Sequence, residues 1–392
     1  MKILEHVSEQ EILDLVFQIV GTESHKECKQ KEEAVARWIV SEFGKEGINS
    51  NLDVVVKGRP NAYGVIKGEN EDIMLMLSGH TDTVPGFKMN YDPFKPFIKD
   101  GKVYGRGSVD MKSALVAMMA AMIAVKRSGI KLSHTVMFAG VIDEEECSKG
   151  SEHLIKTNIV PKHVIIGEPT NLDVTIAHKG MEWIEVKFKG VATHGSRPKE
   201  GINAIYAAGL FCNMVREELE PSINAKTFPL LGNGSINIGK IKGGDDPNIV
   251  PDECIVEIDR RWLPNETLES IHKEVEDLAI KAAKVIGAKV EIRAMRELTS
   301  SMINAPYSIS GTDEFVENVC GVSQGITGIE KKPKAFPGWS DAGLIGNHTP
   351  AKCIIMGPGD IVQAHANDEF CSVEQILQAS EIYYQLIIKM CK

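Results

Sequence analysis

The chain has 392 residues, 43% of them hydrophobic, and its 44 lysines and arginines face 54 aspartates and glutamates, which gives a formal net charge of −10. Since single hydrophobic cores stop growing beyond roughly 250–300 residues, this length predicts two domains. The acidic balance, without any basic cluster, argues against nucleic acid and anionic membranes as partners.

The cysteines and the apolar stretches bear on the compartment. The eight cysteines show no paired metal-ligand spacing, and the N-terminal segment lacks the cleavage pattern of a secretory signal. We therefore expect reduced thiols and a cytoplasmic location. The longest apolar stretch, 114–125, is shorter than the roughly 20 residues of a membrane-spanning helix, so it predicts a core helix.

Up to about Gly180 the chain alternates helical and apolar strand patterns, which is typical of a mostly parallel α/β fold. Amphipathic or apolar periodicity predicts helices, and short apolar runs predict buried strands. The predicted helices are 9–20, 31–43 and 112–126, and the predicted strands are 73–77, 136–142, 164–166 and, near the C-terminus, 353–356.

From Met181 the pattern changes. Ile184, Val186 and Phe188 alternate with charged residues, as in a strand with one exposed face. A helix, two strands, a helix and a strand follow, at 202–219, 235–241, 253–262, 267–286 and 289–295. This order is that of a split ferredoxin-like unit. We predict an α/β fold in which residues 1–180 and 296–392 form a mostly parallel catalytic domain and residues 181–295 an inserted dimerisation or lid domain.

Side chains that bind metals follow the four predicted strands of the first domain. His80 stands in SGHTDTVP, Glu145 in FAGVIDEEECSKG, Glu168 in HVIIGEPT and His365 in CIIMGPGDIVQAH. Ligand sites of open α/β sheets form at such strand ends. Asp110 differs, because it ends GRGSVD directly before a predicted helix, whose terminal amides are expected to help fix its carboxylate.

This donor set points to two metal ions. Carboxylates and imidazoles without a thiol suit Zn²⁺ first, with Co²⁺ or Mn²⁺ as alternatives. Five ligands exceed what one ion usually needs. If Asp110 bridges, each of two ions receives one histidine, one glutamate and a share of Asp110. Such a pair activates water and polarises a carbonyl at once.

Nine segments occur in the order of a known family: SGHTDTVP, GRGSVDMK, DEEECSKG, IIGEPT, THGSRPKEGINAI, DDPNIVP, DRRWLP, GWSDAG and GPGDIVQAH. On these segments, and over essentially its whole length, the chain resembles the aminoacylase, carboxypeptidase G and acetylornithine deacetylase–succinyl-diaminopimelate desuccinylase family of co-catalytic zinc hydrolases. The resemblance implies that His80 and Glu168 hold one metal and Glu145 and His365 the other, with Asp110 between them. It also implies a cis peptide bond after Asp110.

The resemblance assigns the proton transfer to Glu144 and the orientation of His80 to Asp82. Adjacent loop residues point in different directions, so Glu145 can bind a metal while Glu144 faces the attacking water. Glu144 would take a proton from that water and deliver it to the departing amine.

Five further residues concern the substrate and the partner subunit. The resemblance places His194 in the active site of the partner subunit, as an oxyanion donor, and so implies a homodimer. The guanidinium of Arg261, in a D-x-R-x-x-P pattern, matches a carboxylate bidentately. Asn248 would add an amide, Gly359 a backbone donor and Lys179 another cation; the AHKG around Lys179 resembles acetylornithine deacetylases more than desuccinylases. These residues predict a substrate with a free α-carboxylate.

The predicted function is cleavage of the acyl-amide bond of an N-acyl amino acid, by attack of a water held between two metals. Within the family, glutamate at the position of Glu168 goes with deacylases and carboxypeptidases, whereas many dipeptidases have aspartate there and ureido-hydrolysing relatives histidine. A carboxypeptidase or dipeptidase of the same family remains an alternative.

Two alternatives come from other classes: a dinuclear phosphoesterase, and a catalytically inactive dimer that the metals stabilise. Glu144 argues against the second, because a structural site needs no base. Trp339, in GWSDAG, departs from the small residues usual in this family and is expected to narrow the pocket that selects the acyl group.

Overall fold

The computed structural model describes residues 2–86 and 88–392, which form two compact units. The first unit contains the chain up to Ala177 together with Ile309–Phe336 and Ser340–Lys392, and the second contains His178–Ser308 and Pro337–Trp339. The second unit therefore contains more of the chain than the predicted insertion of residues 181–295. The segment after residue 295 belongs to the second unit because backbone hydrogen bonds attach it there. One of them runs from the Met181 N–H to the Asn304 carbonyl at 2.9 Å.

Ten α-helices lie in the described residues: α1 (Glu9–Val20), α2 (Glu33–Lys45), α3 (Ser113–Ser128), α4 (Lys149–Ile155), α5 (Ala204–Met214), α6 (Glu220–Asn224), α7 (Leu268–Ile286), α8 (Glu314–Thr327), α9 (Ala342–His348) and α10 (Val373–Cys391). Short 3₁₀ or π turns occupy Ile3–Glu5, Ser108–Lys112, Pro198–Glu200, Val215–Leu219, Arg296–Leu298 and Ile361–Gln363.

The strands of the first unit are β1 (Asn49–Val56), β2 (Arg59–Ile66), β3 (Asn70–His80), β4 (Phe97–Lys99), β5 (Lys102–Tyr104), β6 (His134–Val141), β7 (His163–Ile166), β8 (Thr175–His178), β16 (Lys334–Ala335), β17 (Lys352–Ile355) and β18 (Phe370–Ser372). Those of the second unit are β9 (Gly180–Lys189), β10 (Thr227–Phe228), β11 (Gly232–Asn233), β12 (Ser235–Gly243), β13 (Glu253–Trp262), β14 (Lys289–Ala294) and β15 (Tyr307–Ser308).

The central sheet of the first unit is mixed, although the sequence predicts a mostly parallel one. Its middle strands, in the order β6-β3-β7-β17, are parallel. On one side β2 pairs antiparallel with β6 and β1 with β2, and on the other side β17 meets β8 antiparallel. The β1–β2 hairpin is missing from the predicted elements. β1 has a short apolar run at Val54–Val56, but none of its residues is buried, so this run does not belong to the core.

Helix α3 lies in the core of the first unit. Residues 113–125 of this helix are all buried, and a helix that is apolar on every side needs such surroundings. Counted with the preceding turn, the segment Ser108–Ser128 has 21 residues and is apolar enough to cross a membrane. The backbone at Asp110 and Met111 is not helical, however, so the regular helix has only the 16 residues of α3. The apolar window is 100% buried within the protein, as the predicted core helix requires.

The second unit has its own sheet and core. Its strands pair antiparallel in the order β12-β13-β9-β14. In β9, Ile184, Val186 and Phe188 are buried and pack with residues of α5 and α7, while the intervening side chains are only half-buried. A Thr267–Ser270 capping box starts α7, and Gly287 ends it with a φ of 84°. This is the predicted ferredoxin-like arrangement.

The close approach of two strand ends yields a stability prediction. Gly357 follows β17, and a Cβ there would overlap the Gly167 carbonyl oxygen and lie 2.7 Å from that of Glu168. Both neighbours are backbone and cannot swing away, so Gly357→Ala should lower stability by about 1–3 kcal/mol. Thermal unfolding of the metal-free protein measures this effect.

The matched control is Gly321→Ala, in the middle of α8, where a Cβ meets nothing within 4 Å. Alanine favours a helix interior by roughly 0.5–1 kcal/mol over glycine, so this variant should melt at or above the wild-type temperature. An unchanged melting temperature for Gly357→Ala would contradict the tight packing of these strand ends.

Candidate metal centre

The predicted metal ligands of the first unit lie along one edge of its sheet. His80 is the last residue of β3, Glu145 lies in the turn after β6, and Glu168 comes two residues after β7. Because the middle strands are parallel, their carboxyl ends meet at the same edge. Asp110 and His365 reach this edge from the turn before α3 and from the loop after β17.

These five side chains form two ligand groups that share Asp110. In the first group, His80 Nε2 lies 3.0 Å from Asp110 Oδ1 and 3.9 Å from Glu168 Oε1. In the second, His365 Nε2 lies 3.4 Å from Asp110 Oδ2 and 3.0 Å from Glu145 Oε2. The ligand atoms of each group lie within 4.8 Å of one another. Asp110 therefore turns a different carboxylate oxygen toward each histidine, as a bridging ligand would.

The charges at this edge fit divalent cations. Asp82, Asp110, Glu144, Glu145 and Glu168 bring five carboxyl groups, which when all are ionised carry more negative charge than two protonated imidazoles can balance. Burial raises the pKa of Glu168 to about 8 and that of Asp82 to about 7. Burial acts in the same direction on Asp110, but the hydrogen bonds from His365 and His80 outweigh it and hold the pKa of Asp110 well below its usual value. Cations at the two groups would offset these costs of burying charge.

The imidazoles show where the cations would sit. Hydrogen bonds to Asp110 and Glu145 raise the pKa of His365 to about 10. Each histidine thus points Nε2 at carboxylate oxygens that hold a proton there. A metal ion would replace that proton, and the nitrogen and oxygen donors without sulfur suit Zn²⁺, Co²⁺ or Mn²⁺.

Asp82 connects the end of β3 to the turn after β6. Its backbone carbonyl lies 3.0 Å from His80 Nδ1, and its carboxylate accepts the N–H groups of Glu144 at 3.2 Å and Glu145 at 3.0 Å. The carboxylate itself is 3.7 Å from His80 Nδ1. The short contact that orients His80 therefore comes from the carbonyl of Asp82, and the carboxylate positions the two glutamates.

A buried ion network fixes the turn that carries these glutamates. Asp143 has a φ of 72°, and its backbone carbonyl accepts the Cys147 N–H at 2.9 Å. The Arg59 guanidinium donates to Asp143 and, at 2.8 Å, to Glu32, while Lys149 lies 3.1 Å from Asp143 Oδ2. The sequence gives no sign of this network, because its members are far apart and Arg59 stands in a strand that the periodicity does not reveal.

Glu144 belongs to neither ligand group, but it directly precedes Glu145, and its carboxyl group interacts electrostatically with those of Glu168 and Glu145 and with His80. Burial raises the pKa of Glu144 well above its usual value, and the charges of Glu168 and Asp341 act in the same direction. Asp341 is itself buried, with Ser151 Oγ donating to its Oδ2 at 2.6 Å. Asp341 stands in GWSDAG, but nothing in this motif predicts that it lies next to the metal ligands.

The backbone around Asp110 corrects one expectation. The peptide bond after Asp110 is cis, as the resemblance implies. The N–H groups of Val109 and Asp110, however, donate to the buried carboxylate of Glu369, at 2.9 and 3.2 Å. The sequence predicts that helix-terminal amides bind the Asp110 carboxylate. Instead, these amides donate to Glu369, which is not among the predicted site residues.

Gly359 is the one predicted substrate contact in the first unit. It has a φ of 86°, and its N–H donates to Gln375 Oε1 at 2.6 Å. This donor is already engaged within the chain, which argues against the predicted role of Gly359 as a substrate contact.

The other predicted substrate residues belong to the second unit, where they form two groups. His194 pairs with Ile249 in an isolated bridge, and the Gly195 N–H donates to the Asn248 carbonyl at 2.7 Å, so His194 and Asn248 lie on adjoining segments. Arg261, at the end of β13, donates from Nε to Asp259. Lys179 directly precedes β9, whose Met181 pairs with Arg261, so these two cations lie on adjoining strand ends. Burial and the charge of Arg261 lower the pKa of Lys179.

The shared ligand predicts different outcomes for two substitutions. Asp110→Asn should weaken binding of both ions, because both groups contain Asp110, whereas His365→Ala should leave one of two ions in place. Isothermal titration of metal-free protein with Zn²⁺ counts the ions and measures their affinities. His153→Ala is the control, since His153 pairs with Asp53 at 2.9 Å outside both groups. Wild-type protein that binds a single ion, or an Asp110→Asn variant that binds two as tightly as wild type, would contradict the shared site.

Comparison with known proteins agrees with the sequence motifs. Over 368 residues the chain is 30% identical to an acetylornithine deacetylase of Pasteurella multocida, covering 92% of this chain and 90% of that protein. Over 399 residues it is 29% identical to a LysW-lysine/LysW-ornithine hydrolase of Sulfurisphaera tokodaii, covering 100% and 99%. The fold matches that of the YXEP protein of Bacillus subtilis, titled a dinuclear metal binding peptidase, with a TM-score of 0.73 at 15% identity, covering 97% and 98%.

The family itself follows from a match to most of the chain. Residues 76–389 match the sequence model of peptidase family M20/M25/M40. This match, together with the relatives, confirms the resemblance seen in the motifs. The chain therefore belongs to peptidase family M20/M25/M40, whose members hydrolyse amide or peptide bonds.

Proposed function

We propose that this protein is a dinuclear metal-dependent deacylase that cleaves the acyl-amide bond of an N-acyl amino acid, as an acetylornithine deacetylase does. The observation that carries the proposal is the shared position of Asp110 between two histidine–carboxylate groups, with the carboxylate of Glu144 beside them and outside both. A site that only stabilised the fold would have no use for an additional, partly buried acid there.

The chain's own residues would hold two ions. His80, Glu168 and Asp110 would bind one, and Glu145, His365 and Asp110 the other, with Zn²⁺ as the first choice and Co²⁺ or Mn²⁺ as alternatives. When bound, such ions polarise the scissile carbonyl and lower the pKa of a water molecule. The backbone carbonyl of Asp82 keeps His80 in the orientation that leaves Nε2 for the ion.

Glu144 would move the proton. It would accept a proton from the attacking water, hold it in surroundings that disfavour a further negative charge, and give it to the leaving amine. The N–H groups of Glu144 and Glu145 are both fixed by the Asp82 carboxylate, so the acid and its metal-binding neighbour keep their relative orientation. This rigidity is what positioning of a general acid and base requires.

The second unit would supply the substrate contacts. Arg261 and Lys179 together offer a cationic place for an α-carboxylate, with Arg261 able to bind it through two parallel hydrogen bonds. Asn248 and His194 adjoin each other, and His194 would stabilise the oxyanion across a homodimer. The homodimer, like the cytoplasmic location, remains a prediction from the sequence.

The relatives support an amino-acid substrate and leave the acyl group open. The acetylornithine deacetylase and the LysW-ornithine hydrolase are similar to this chain to nearly the same degree. The test is a panel of N-acetylornithine, N-succinyl-diaminopimelate, N-acetylmethionine, dipeptides and p-nitrophenyl phosphate, with Zn²⁺ or Co²⁺. Free amine from at least one N-acyl amino acid is expected. Turnover of dipeptides alone would favour a peptidase, phosphate release a phosphoesterase, and no turnover at all would overturn the proposal.

Glu144→Gln removes the proton carrier without removing a ligand. We expect kcat to fall by about 10²–10⁴-fold, the usual share of general acid–base catalysis, with two ions still bound. The control is Glu146→Gln, two positions along the same turn, where the carboxylate pairs with Lys26 at 3.0 Å and is partly exposed. Activity of Glu144→Gln within a few-fold of wild type would remove Glu144 from the mechanism.

Arg261→Gln tests the carboxylate contact. A hydrogen bond to a charged group contributes about 1.5–3 kcal/mol, so kcat/KM for the preferred N-acyl amino acid should fall by roughly 10–100-fold. The same substrate with a carboxamide in place of the carboxylate should lose far less. Arg293→Gln, on β14 of the same unit and paired with Glu185 at 2.9 Å, serves as the control. Equal losses on acid and amide would show that Arg261 does not bind the carboxylate.

A further inference from the structure

Glu369 is completely buried, and its two carboxylate oxygens accept four hydrogen bonds from one loop. Oε1 accepts the N–H groups of Val109 at 2.9 Å and Asp110 at 3.2 Å. Oε2 accepts the Gly107 N–H at 3.1 Å and the Arg106 guanidinium at 2.5 Å. The loop that carries the shared ligand is therefore organised around a single carboxylate.

The same two segments are joined by their backbones as well. The Glu369 carbonyl accepts the Gly105 N–H at 3.3 Å, and Arg106 Nη2 donates to the Ala366 carbonyl at 3.3 Å. Directly after Glu369, β18 pairs antiparallel with β5. Because His365 stands four residues before Glu369, these bonds fix the segment of one metal ligand against the segment of another.

The four donors around Glu369 match an acceptor that is ionised and accepts on both oxygens. A carboxylate offers about four lone-pair sites and no proton, which matches three N–H groups and a guanidinium. An uncharged glutamine would accept on one oxygen only and would turn its NH₂ group toward other donors. The positive charge of Arg106 also offsets the negative charge that Glu369 brings close to Asp110.

We infer that Glu369 is a positioning residue for the metal pair: it sets the Asp110 carboxylate between the two histidines and holds the His365 segment against it. The inference rests on the proposed metal assignment. Glu369 belongs to neither ligand group, so it acts through Asp110 and His365. Substitutions of residues that orient metal ligands typically cost about 10–100-fold in metal affinity.

The test is Zn²⁺ titration of metal-free Glu369→Gln by calorimetry, without substrate, beside thermal unfolding of the same sample. We expect two ions bound about 10–100-fold more weakly than by wild type, with turnover recovering at saturating Zn²⁺ and KM little changed. Should this variant fail to fold, Glu369→Asp keeps the charge but withdraws it from the amides, and it should also bind Zn²⁺ more weakly.

Two controls separate positioning from simple stability. Glu381→Gln, on α10, loses a carboxylate that accepts the Ile3 N–H at 2.8 Å away from the ligand groups, and should keep wild-type Zn²⁺ affinity. Arg106→Lys keeps a positive charge and the three N–H bonds to Glu369 but loses the guanidinium bond to the Ala366 carbonyl, so it should weaken Zn²⁺ binding less than Glu369→Gln does.

The outcomes distinguish the inference from the function proposed above. If Glu369→Gln melts earlier but binds two ions as tightly as wild type, Glu369 only stabilises the fold and the inference is overturned alone. If wild-type protein binds fewer than two ions, both the metal assignment and the inference that rests on it are contradicted.

Discussion

The buried and partly buried carboxyl groups around Asp110 outnumber the two neighbouring imidazoles, and the rest of the site follows from this constraint. Burying like charges is costly unless cations compensate. Five of these acids converge from three strand ends and the turn before α3, and the Asp110 carboxylate lies between His80 and His365 with one oxygen toward each. Such an arrangement is stable when cations occupy the two groups, which is why the fold and the metal chemistry cannot be separated here.

The fold orients these acids through contacts that fix their backbones rather than their carboxyl groups. The carboxylates of Asp82 and Glu369 accept backbone N–H groups of the very loops that carry Glu145 and Asp110. The Arg59 network does the same for the turn at Asp143. The ligands can therefore exchange a proton for a metal while their attachment points stay in place, which is the preorganisation that a catalytic metal pair requires.

The sequence alone predicts the features that depend on residues close together in the chain. Apolar runs ending in His80 or Glu168 mark strands and ligands together, and the alternation at Ile184–Phe188 marks a half-exposed strand. The sequence alone does not predict contacts between residues that are distant in the chain. Glu369 meets Asp110 across 259 positions, and nothing near Glu369 in the sequence distinguishes it from a surface acid. The β1–β2 hairpin was missed because no residue of its first strand is buried, so the valines at 54–56 do not mark a core strand. The boundary after residue 295 was misplaced because backbone hydrogen bonds, which leave no sequence pattern, hold that segment.

The most direct test of the shared ligand is a crystal structure of the Zn²⁺-loaded protein, with the ions located by anomalous scattering at the zinc edge. The account predicts two zinc peaks about 3.5–4 Å apart, as in other two-metal sites, each bound by one histidine and one glutamate and both contacting Asp110. A single peak, or two peaks of which only one contacts Asp110, would contradict it.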